Sequence, residues 1–289
     1  MRSKIKTAII FCGGKGKRLY PITKKIPKPL VEIDSKPFIY YIIEQLISFK
    51  VKKIIFLTGY KSDLFKKTVN KFNKFKKKII YIPVQDLPDG DDPYIRENHQ
   101  RNCILRGLSN ARDDDLIIIS DLDEIPNPEK IVTFNPSDRF SVLKQKHFYY
   151  KLNLQSEKNP YWLGTRLCIK KYLKSPQWLR DLKFKKRPFW RIDKLRLNNI
   201  IDNGGWHFCN LKKPEELLNK YKNLCETNDP YHFKEKIDDK YLSLSEIKKK
   251  IDQRIDIIGR NDKFKKINID KTFPKYILEN INEFKDWIC

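Results

Sequence analysis

The sequence predicts an α/β fold: a Rossmann-type, mostly parallel sheet flanked by helices, with a helical extension toward the C-terminal end. Three observations carry this. Between residues 7 and 84, apolar strand-like runs alternate with helical patterns, the β-α-β-α-β order that builds parallel sheets with right-handed crossovers. Leu116 to Ile119 is a short unbroken apolar run of the kind found in buried parallel strands, and Asp121, Asp123 and Glu124 follow it closely. From Pro214 onward the apolar residues fall mainly at helical spacing.

Thr7 to Cys12 (T-A-I-I-F-C) reads as a buried first strand, followed by Gly13, Gly14 and Gly16. These glycines let the backbone turn tightly and approach a ligand, while Lys15, Lys17 and Arg18 supply positive charge. Asp34 or Ser35 can cap a helix that has Pro37 near its first turn and runs to about Phe49. Ile39, Ile42, Ile43, Leu46 and Ile47 keep helical spacing and should face the sheet. Lys53 to Thr58 is a second buried strand, Asp63 to about Phe75 a lysine-rich helix with a solvated face, and Lys78 to Val84 a third strand.

Residues 95–111 read as a helix with Cys103, Ile104, Leu108 and Ala111 on one face. Arg96, Glu97, Gln100 and Arg101 lie around the other, and Glu97 and Arg101 have the spacing of a helical ion pair. This face is either solvated and salt-bridged, or its arginines partner a diphosphate through their planar fork of donors. Asp121 and Asp123 would lie at the carboxyl edge of the sheet, where open α/β folds bind ligands. Two neighbouring carboxylates call for a hard divalent cation, Mn²⁺ or Mg²⁺, unless they form only an acidic turn.

Pro128 to Val132 makes a short helix and Phe140 to Tyr150 a strand. The stretch 153–210 is rich in Trp, Tyr and Arg, with Trp162, Trp178, Trp190 and Trp206. Such a region suits a sugar cleft, because rings cover the apolar CH faces of sugars; the alternative is aromatic core. His207, after two glycines and Trp206, is a candidate metal ligand or phosphate donor, or a buried structural histidine. Pro214 to Leu224 is amphipathic. Ser243 and Glu246 form a capping box that opens a helix carrying Ile247, Ile251, Ile255 and Ile258, with Gly259 as its stop. A last helix runs from about Lys275 to Trp287. The lysines on these helices suit a peripheral contact with an acidic membrane surface.

The 289 residues are 40% hydrophobic and 12% aromatic, which fits a globular chain and excludes extended disorder. Sixty-one Lys plus Arg against 36 Asp plus Glu leave a formal charge of +25, a surface that attracts phosphates, nucleic acid or anionic lipid. The excess is spread along the chain, which disfavours nucleic acid as the partner. Six cysteines show no C-x-x-C pair and no accompanying His spacing for zinc, so free thiols in a reducing cytosol are expected. No apolar signal region and no run of 18 apolar residues is visible, which predicts a cytoplasmic protein. Without repeats or linkers, one catalytic domain over 1–289 is expected, with a nucleotide-binding half at 1–70, a catalytic and acceptor region at 71–210 and a helical extension at 211–289.

Two resemblances refine this. The string G-G-x-G-x-R-L-x-P-x-T-x-x-x-P-K-P-L from Gly13 to Leu30 resembles the signature of the sugar-1-phosphate nucleotidyltransferases, a resemblance covering roughly residues 1–65. There the loop wraps nucleotide phosphates, which implies phosphate-holding roles for Arg18 and Lys28 beside Gly13, Gly14 and Gly16. The segments Ile95 to Ile104, Asp113 to Pro126, Leu152-Asn153, Trp162 to Thr165, Gly204 to Phe208 and Phe273 to Asn280 resemble glycosyltransferase family 17, over roughly residues 72–289. A base-reading segment of the nucleotidyltransferase kind is missing before Asp121.

Both families share the GT-A-like, nucleotide-diphospho-sugar fold. The second resemblance implies a metal-dependent, inverting transfer of N-acetylglucosamine or a similar sugar. The donor would be a UDP-sugar and the acceptor a hydroxyl of a glycan or lipid-linked saccharide. Asp121 and Asp123 would hold Mn²⁺ or Mg²⁺, and Arg96, Asn98, Arg101 and Asn102 would join Arg18 and Lys28 around the nucleotide. Glu124, with Glu97 behind it, would be the base, and Trp162, Trp206 and His207 would line the acceptor site. The alternative is a sugar-1-phosphate nucleotidyltransferase that makes a nucleotide sugar and pyrophosphate.

Overall fold

The computed structural model describes residues 6–16, 19–33, 35–72, 79–84, 86, 88, 93–183, 199–222 and 242–289. Lys17, Arg18, Asp34, Trp190, Cys225 and the side chain of Arg96 lie outside the described set. The chain divides into two compact units, 1–111 with 175–177, and 112–174 with 178–289. The division falls near residue 111.

The first unit holds β1 (Thr7–Phe11), α1 (Ile22–Lys25), β2 (Glu32–Ile33), β3 (Lys36–Pro37), α2 (Phe38–Ser48), β4 (Lys53–Thr58), α3 (Ser62–Lys71), β5 (Ile79–Pro83) and α4 (Pro93–Asn102). Its sheet is parallel in the order β1-β4-β5. β4 is central and buried on both faces, as its unbroken K-I-I-F-L-T run requires. Ile54 and Phe56 pack with Ile39 and Ile43 of α2 and Phe65 and Val69 of α3. Ile55 and Leu57 point the other way, into a cluster with Val84 and Cys103, as the two-residue period of a strand dictates. This unit realises the predicted α/β class, a parallel sheet flanked by helices.

Local boundaries differ from the pattern reading. α2 starts at Phe38, after Pro37 and with no side-chain cap, because Lys36–Pro37 is drawn into a hairpin with Glu32–Ile33 and Ser35 turns it at φ 64°. The helix expected over 95–111 is α-helical only to Asn102 and then tightens into a 3₁₀ segment, Cys103–Leu108.

The second unit continues with β6 (Leu116–Ile119), β7 (Glu124–Pro126), α5 (Pro128–Ile131), β8 (Phe140–Tyr149), β9 (Leu154–Ser156), β10 (Tyr161–Ile169), α6 (Pro176–Asp181, its first residues counted with the first unit), β11 (Ile200–Cys209), α7 (Pro214–Lys222), α8 (Leu244–Asp252), β12 (Phe264–Lys266) and α9 (Lys275–Glu279). β8 is its spine, bonded to β10 antiparallel and to β11 in parallel. β6 pairs antiparallel with β10, so the run at 116–119 departs from the parallel strand expected there. α7 and α8 pack Leu217, Tyr221 and Ile247 against Tyr149, Tyr150 and Phe264. Ser243 caps α8 by accepting from the Glu246 amide. That helix ends at Asp252, short of Ile258, because Arg254 turns at φ 57° and Ile255 bridges to Lys263. The last helix is α-helical only over α9, with a 3₁₀ segment, Ile281–Trp287, after it. No helix among the described residues is long and apolar enough to cross a membrane, and the five described cysteines are free thiols.

Candidate active site

In the first unit the glycine-rich segment is a built loop. The Cys12 amide donates to Leu57 O and the Tyr60 amide to Gly13 O, so the turns after β1 and β4 are laced together. A Cβ on Gly13 would sit 3.3 Å from the Gly59 nitrogen, which the close crossing forbids without movement. Gly16 turns at φ +65°, and its carbonyl accepts from the buried Thr23 hydroxyl at 2.7 Å and the Leu19 amide at 2.8 Å. This explains the T of the signature: it locks the loop from beneath. Gly14 alone of the three has open space where a side chain would be, as a backbone that receives a ligand needs. Lys61 Nζ donates to the carbonyls of Lys24 and Lys25 at 2.8 and 2.9 Å, capping the end of α1, and Lys28 follows at an exposed position.

α4 carries the other residues expected at the nucleotide. Arg101 pairs with Glu97 at 2.9 Å, the predicted i, i+4 pair, and also donates to Gln177. The Asn102 side chain accepts from the Gln177 amide at 3.0 Å. Arg101 and Asn102 thus hold the segment around Gln177, and Glu97 is engaged by Arg101. Asn98 is half-buried on the same helix.

In the second unit the carboxylates after β6 are organised by a residue that sequence reasoning missed, Arg180 of α6. Its Nη2 donates to Asp121 Oδ2 at 2.8 Å and to Glu124 Oε1 at 3.0 Å, and its Nη1 to Glu124 Oε2 at 3.1 Å and Gly164 O at 2.9 Å. The Trp162 indole donates to Glu124 Oε1 at 2.9 Å and the Asp121 amide to Glu124 Oε2 at 3.1 Å. Burial opposes the charge on Glu124, but Arg180 outweighs it and holds the carboxyl below its usual range. With both oxygens occupied and its side chain 1% exposed, Glu124 stays ionised as a structural anchor. Beneath it, Ser120 Oγ lies 2.8 Å from Thr165 Oγ1 and donates to Glu124 O at 3.0 Å.

Asp123 lies 3.5 Å from His207 Nε2. Burial again opposes its charge, and the His207 contact brings its carboxyl below the usual value. The side chains of Asp121 and Asp123 keep 41% and 42% exposure. Hard oxygen donors that solvent reaches fit a divalent cation such as Mg²⁺ or Mn²⁺, whereas Glu124 does not. His207 stacks on His147 with ring centroids 4.8 Å apart, and Trp162 lies against both rings. Trp206 turns away, its indole donating to Thr272 O at 3.0 Å. A cleft of about 360 Å³ in this unit is lined by His147, Tyr149, Tyr161, Trp162 and Arg260 among others.

Residues 7–119 match the family model described as nucleotidyl transferase. This span is nucleotidyltransferase-like. Over 132 residues the chain is 36% identical to the bifunctional protein GlmU of Methanococcus maripaludis, covering 45% of this chain and 30% of that protein. Over 59 residues it is 46% identical to the D-glycero-alpha-D-manno-heptose 1-phosphate guanylyltransferase of Campylobacter jejuni, covering 20% of this chain and 27% of that one. The crystal structure of HddC from Yersinia pseudotuberculosis aligns at TM-score 0.42 and 18% identity, over 78% of this chain and 100% of that chain. The chain spans about a third of the length of the curated relatives it matches.

These findings overturn the expected transfer of N-acetylglucosamine from a UDP-sugar to a glycan. The family model is described as nucleotidyl transferase and the Campylobacter jejuni relative is named a guanylyltransferase, which favours the alternative kept open above. The acceptor role expected of Trp162, Trp206 and His207 loses its reaction with it. Arg180 and His147 carry no signal in the sequence reading. Arg180 lies in no local motif, and His147 comes beside His207 only through the β8–β11 register.

Proposed function

We propose that the chain transfers a nucleotidyl group from a nucleoside triphosphate to a sugar 1-phosphate. A phosphate oxygen of the sugar phosphate attacks the α-phosphorus, the α–β P–O bond breaks, and pyrophosphate leaves with the bonding electron pair. The observation that carries this reading is the turn after β1, where Thr23 locks the Gly16 carbonyl and Gly14 has open space at its missing Cβ. Such a loop after a strand takes phosphate oxygens, and Arg18 and Lys28 would add charge to a reaction that is mostly positioning and electrostatics. Asp121 and Asp123 are the residues that would hold Mg²⁺ or Mn²⁺. Such an ion, when bound, supplies positive charge to the oxygen it binds.

The test is product identity. The chain is incubated with UTP, CTP, GTP, ATP or dTTP, each with a panel of sugar 1-phosphates and Mg²⁺, and pyrophosphate is assayed. Pyrophosphate should form with at least one pair and only when both substrates are present. Its absence with every pair, from protein shown to be folded, removes the proposal. Arg18→Ala should weaken triphosphate binding by roughly 1.5–3 kcal/mol, the size of a lost charge-assisted contact. Calorimetric titration that finds the affinity unchanged would remove Arg18 from the phosphate site.

A further inference from the structure

Below Trp162, the second unit carries two histidines that each bury one nitrogen with no hydrogen-bond partner. His147 and His207 are direct neighbours in the parallel β8–β11 ladder, and Cys209, two residues beyond His207, shares its face of the strand. His147 is 4% and His207 8% exposed. His147 Nδ1 lies 3.1 Å from Asn159 O, a carbonyl that only accepts, so Nδ1 carries the proton and Nε2 the lone pair. His207 Nε2 lies 3.5 Å from Asp123 Oδ2, which places the proton on Nε2 and the lone pair on Nδ1. His147 Nε2 and His207 Nδ1 are buried with no hydrogen-bond partner. A buried acceptor left unmet costs stability, and each imidazole is held from behind as metal-binding histidines are held, one by a carbonyl and one by a carboxylate. One donor atom from each of His147, His207 and Cys209 lies within 4.8 Å of the others.

We infer that His147, His207 and Cys209 form a binding site for a divalent transition metal of the Zn²⁺ class. Two imidazole nitrogens and one thiolate suit Zn²⁺ or Co²⁺ and not the hard Mg²⁺. Bonds of about 2.0–2.3 Å set donor separations of about 3.3–3.6 Å in a tetrahedron, so from separations within 4.8 Å the donors have up to about 1.5 Å to close by side-chain rotation. Three protein ligands leave a fourth position for a non-protein ligand. Binding converts the Cys209 thiol to thiolate and releases its proton to solvent. His147 and Tyr149 line the cleft described above, which gives the ion an entry path. Asp123, which holds His207 here, is shared with the proposed nucleotidyl transfer, but binding of the transition metal is read without that reaction, so either can fail without the other.

The full chain, stripped with a chelator, is titrated with Co²⁺ and the spectrum followed. One Co²⁺ per chain should bind, with a near-ultraviolet thiolate-to-cobalt charge-transfer band and the visible bands of tetrahedral cobalt. Zn²⁺ should erase both and a large excess of Mg²⁺ neither. Cys209→Ser should abolish the charge-transfer band, His147→Ala should weaken binding at least tenfold, and Cys289→Ser should leave the band intact. As a check that needs no variant, Zn²⁺ should protect Cys209 of the native chain from alkylation, read by peptide mass spectrometry. Absence of stoichiometric Co²⁺ binding, a band that survives Cys209→Ser, or Cys209 alkylated equally with and without Zn²⁺ overturns the inference.

Discussion

Arg180 holds two carboxylates, and its own side chain is only 11% exposed. Removing the cation of a buried pair leaves the anion without compensation, at a cost of about 3–5 kcal/mol. Arg180→Ala should therefore lower unfolding free energy by that amount in urea titrations, and a loss below about 1 kcal/mol would show that the pair is not a structural anchor. The acid limb of stability tests the same contact. Glu124 has a folded value held below its usual 4.5, so its contribution is complete above the unfolded value and disappears as pH falls through the folded one. Glu124→Gln should make stability flatter below about pH 4.5 than in the wild type; an unchanged acid limb would count against the ion pair. Glu124 was legible in the sequence as a carboxylate at a strand end. Its engagement was not, because Trp162 and Arg180 reach it from positions 38 and 56 residues downstream. Periodicity carries no information at that range.

Elements built from local pattern were the most legible. β4 was readable because a strand buried on both faces needs an unbroken apolar run, β1 and β5 because the half-buried strands beside it keep similar apolar runs, and α2 because its isoleucines keep helical spacing. The pairing direction of β6 was not readable. Leu116–Ile119 offers the same apolar run to a parallel or an antiparallel neighbour, and the choice rests on β10, which begins more than 40 residues later. Two glycine substitutions distinguish a loop that receives a ligand from a turn that only folds the chain. Gly14 has open space at its missing Cβ, so Gly14→Ala should leave stability within about 0.5 kcal/mol while weakening triphosphate binding. Gly205 turns at φ +133°, and a Cβ there would lie 2.1 Å from Ile125 O. Gly205→Ala should cost at least the roughly 1–3 kcal/mol of such backbone strain and leave triphosphate affinity per folded molecule unchanged. Thermal melts and calorimetry on both variants separate the effects. If Gly14→Ala binds triphosphate as the wild type does, the loop is not a phosphate cradle.

At the scale of the whole molecule, the chain is two compact units. The nucleotidyltransferase-like match ends at residue 119, just past the first unit's main segment, while the histidine–cysteine cluster lies wholly in the second. The charge of +25 favours anions everywhere on the surface and so cannot assign a ligand to either unit. Ligand-specific protection can, because a ligand that binds only the folded state stabilises it by RT ln(1 + [L]/Kd), about 2.7 kcal/mol at a hundredfold excess over Kd. Where exchange proceeds through local opening, that gain appears as slower amide exchange in the segments the ligand holds. A nucleoside triphosphate with Mg²⁺ should slow exchange in peptides covering 7–30 and 53–60, the loop, its lock and the β4 turn laced to it. Co²⁺ alone should slow exchange in peptides covering 140–149 and 200–209, the two strands that carry His147, His207 and Cys209, and leave 7–30 unchanged. Hydrogen-exchange mass spectrometry on the intact chain reads both in one experiment. Protection by the triphosphate confined to residues after 119 would move nucleotide binding out of the first unit and remove the loop's assigned role.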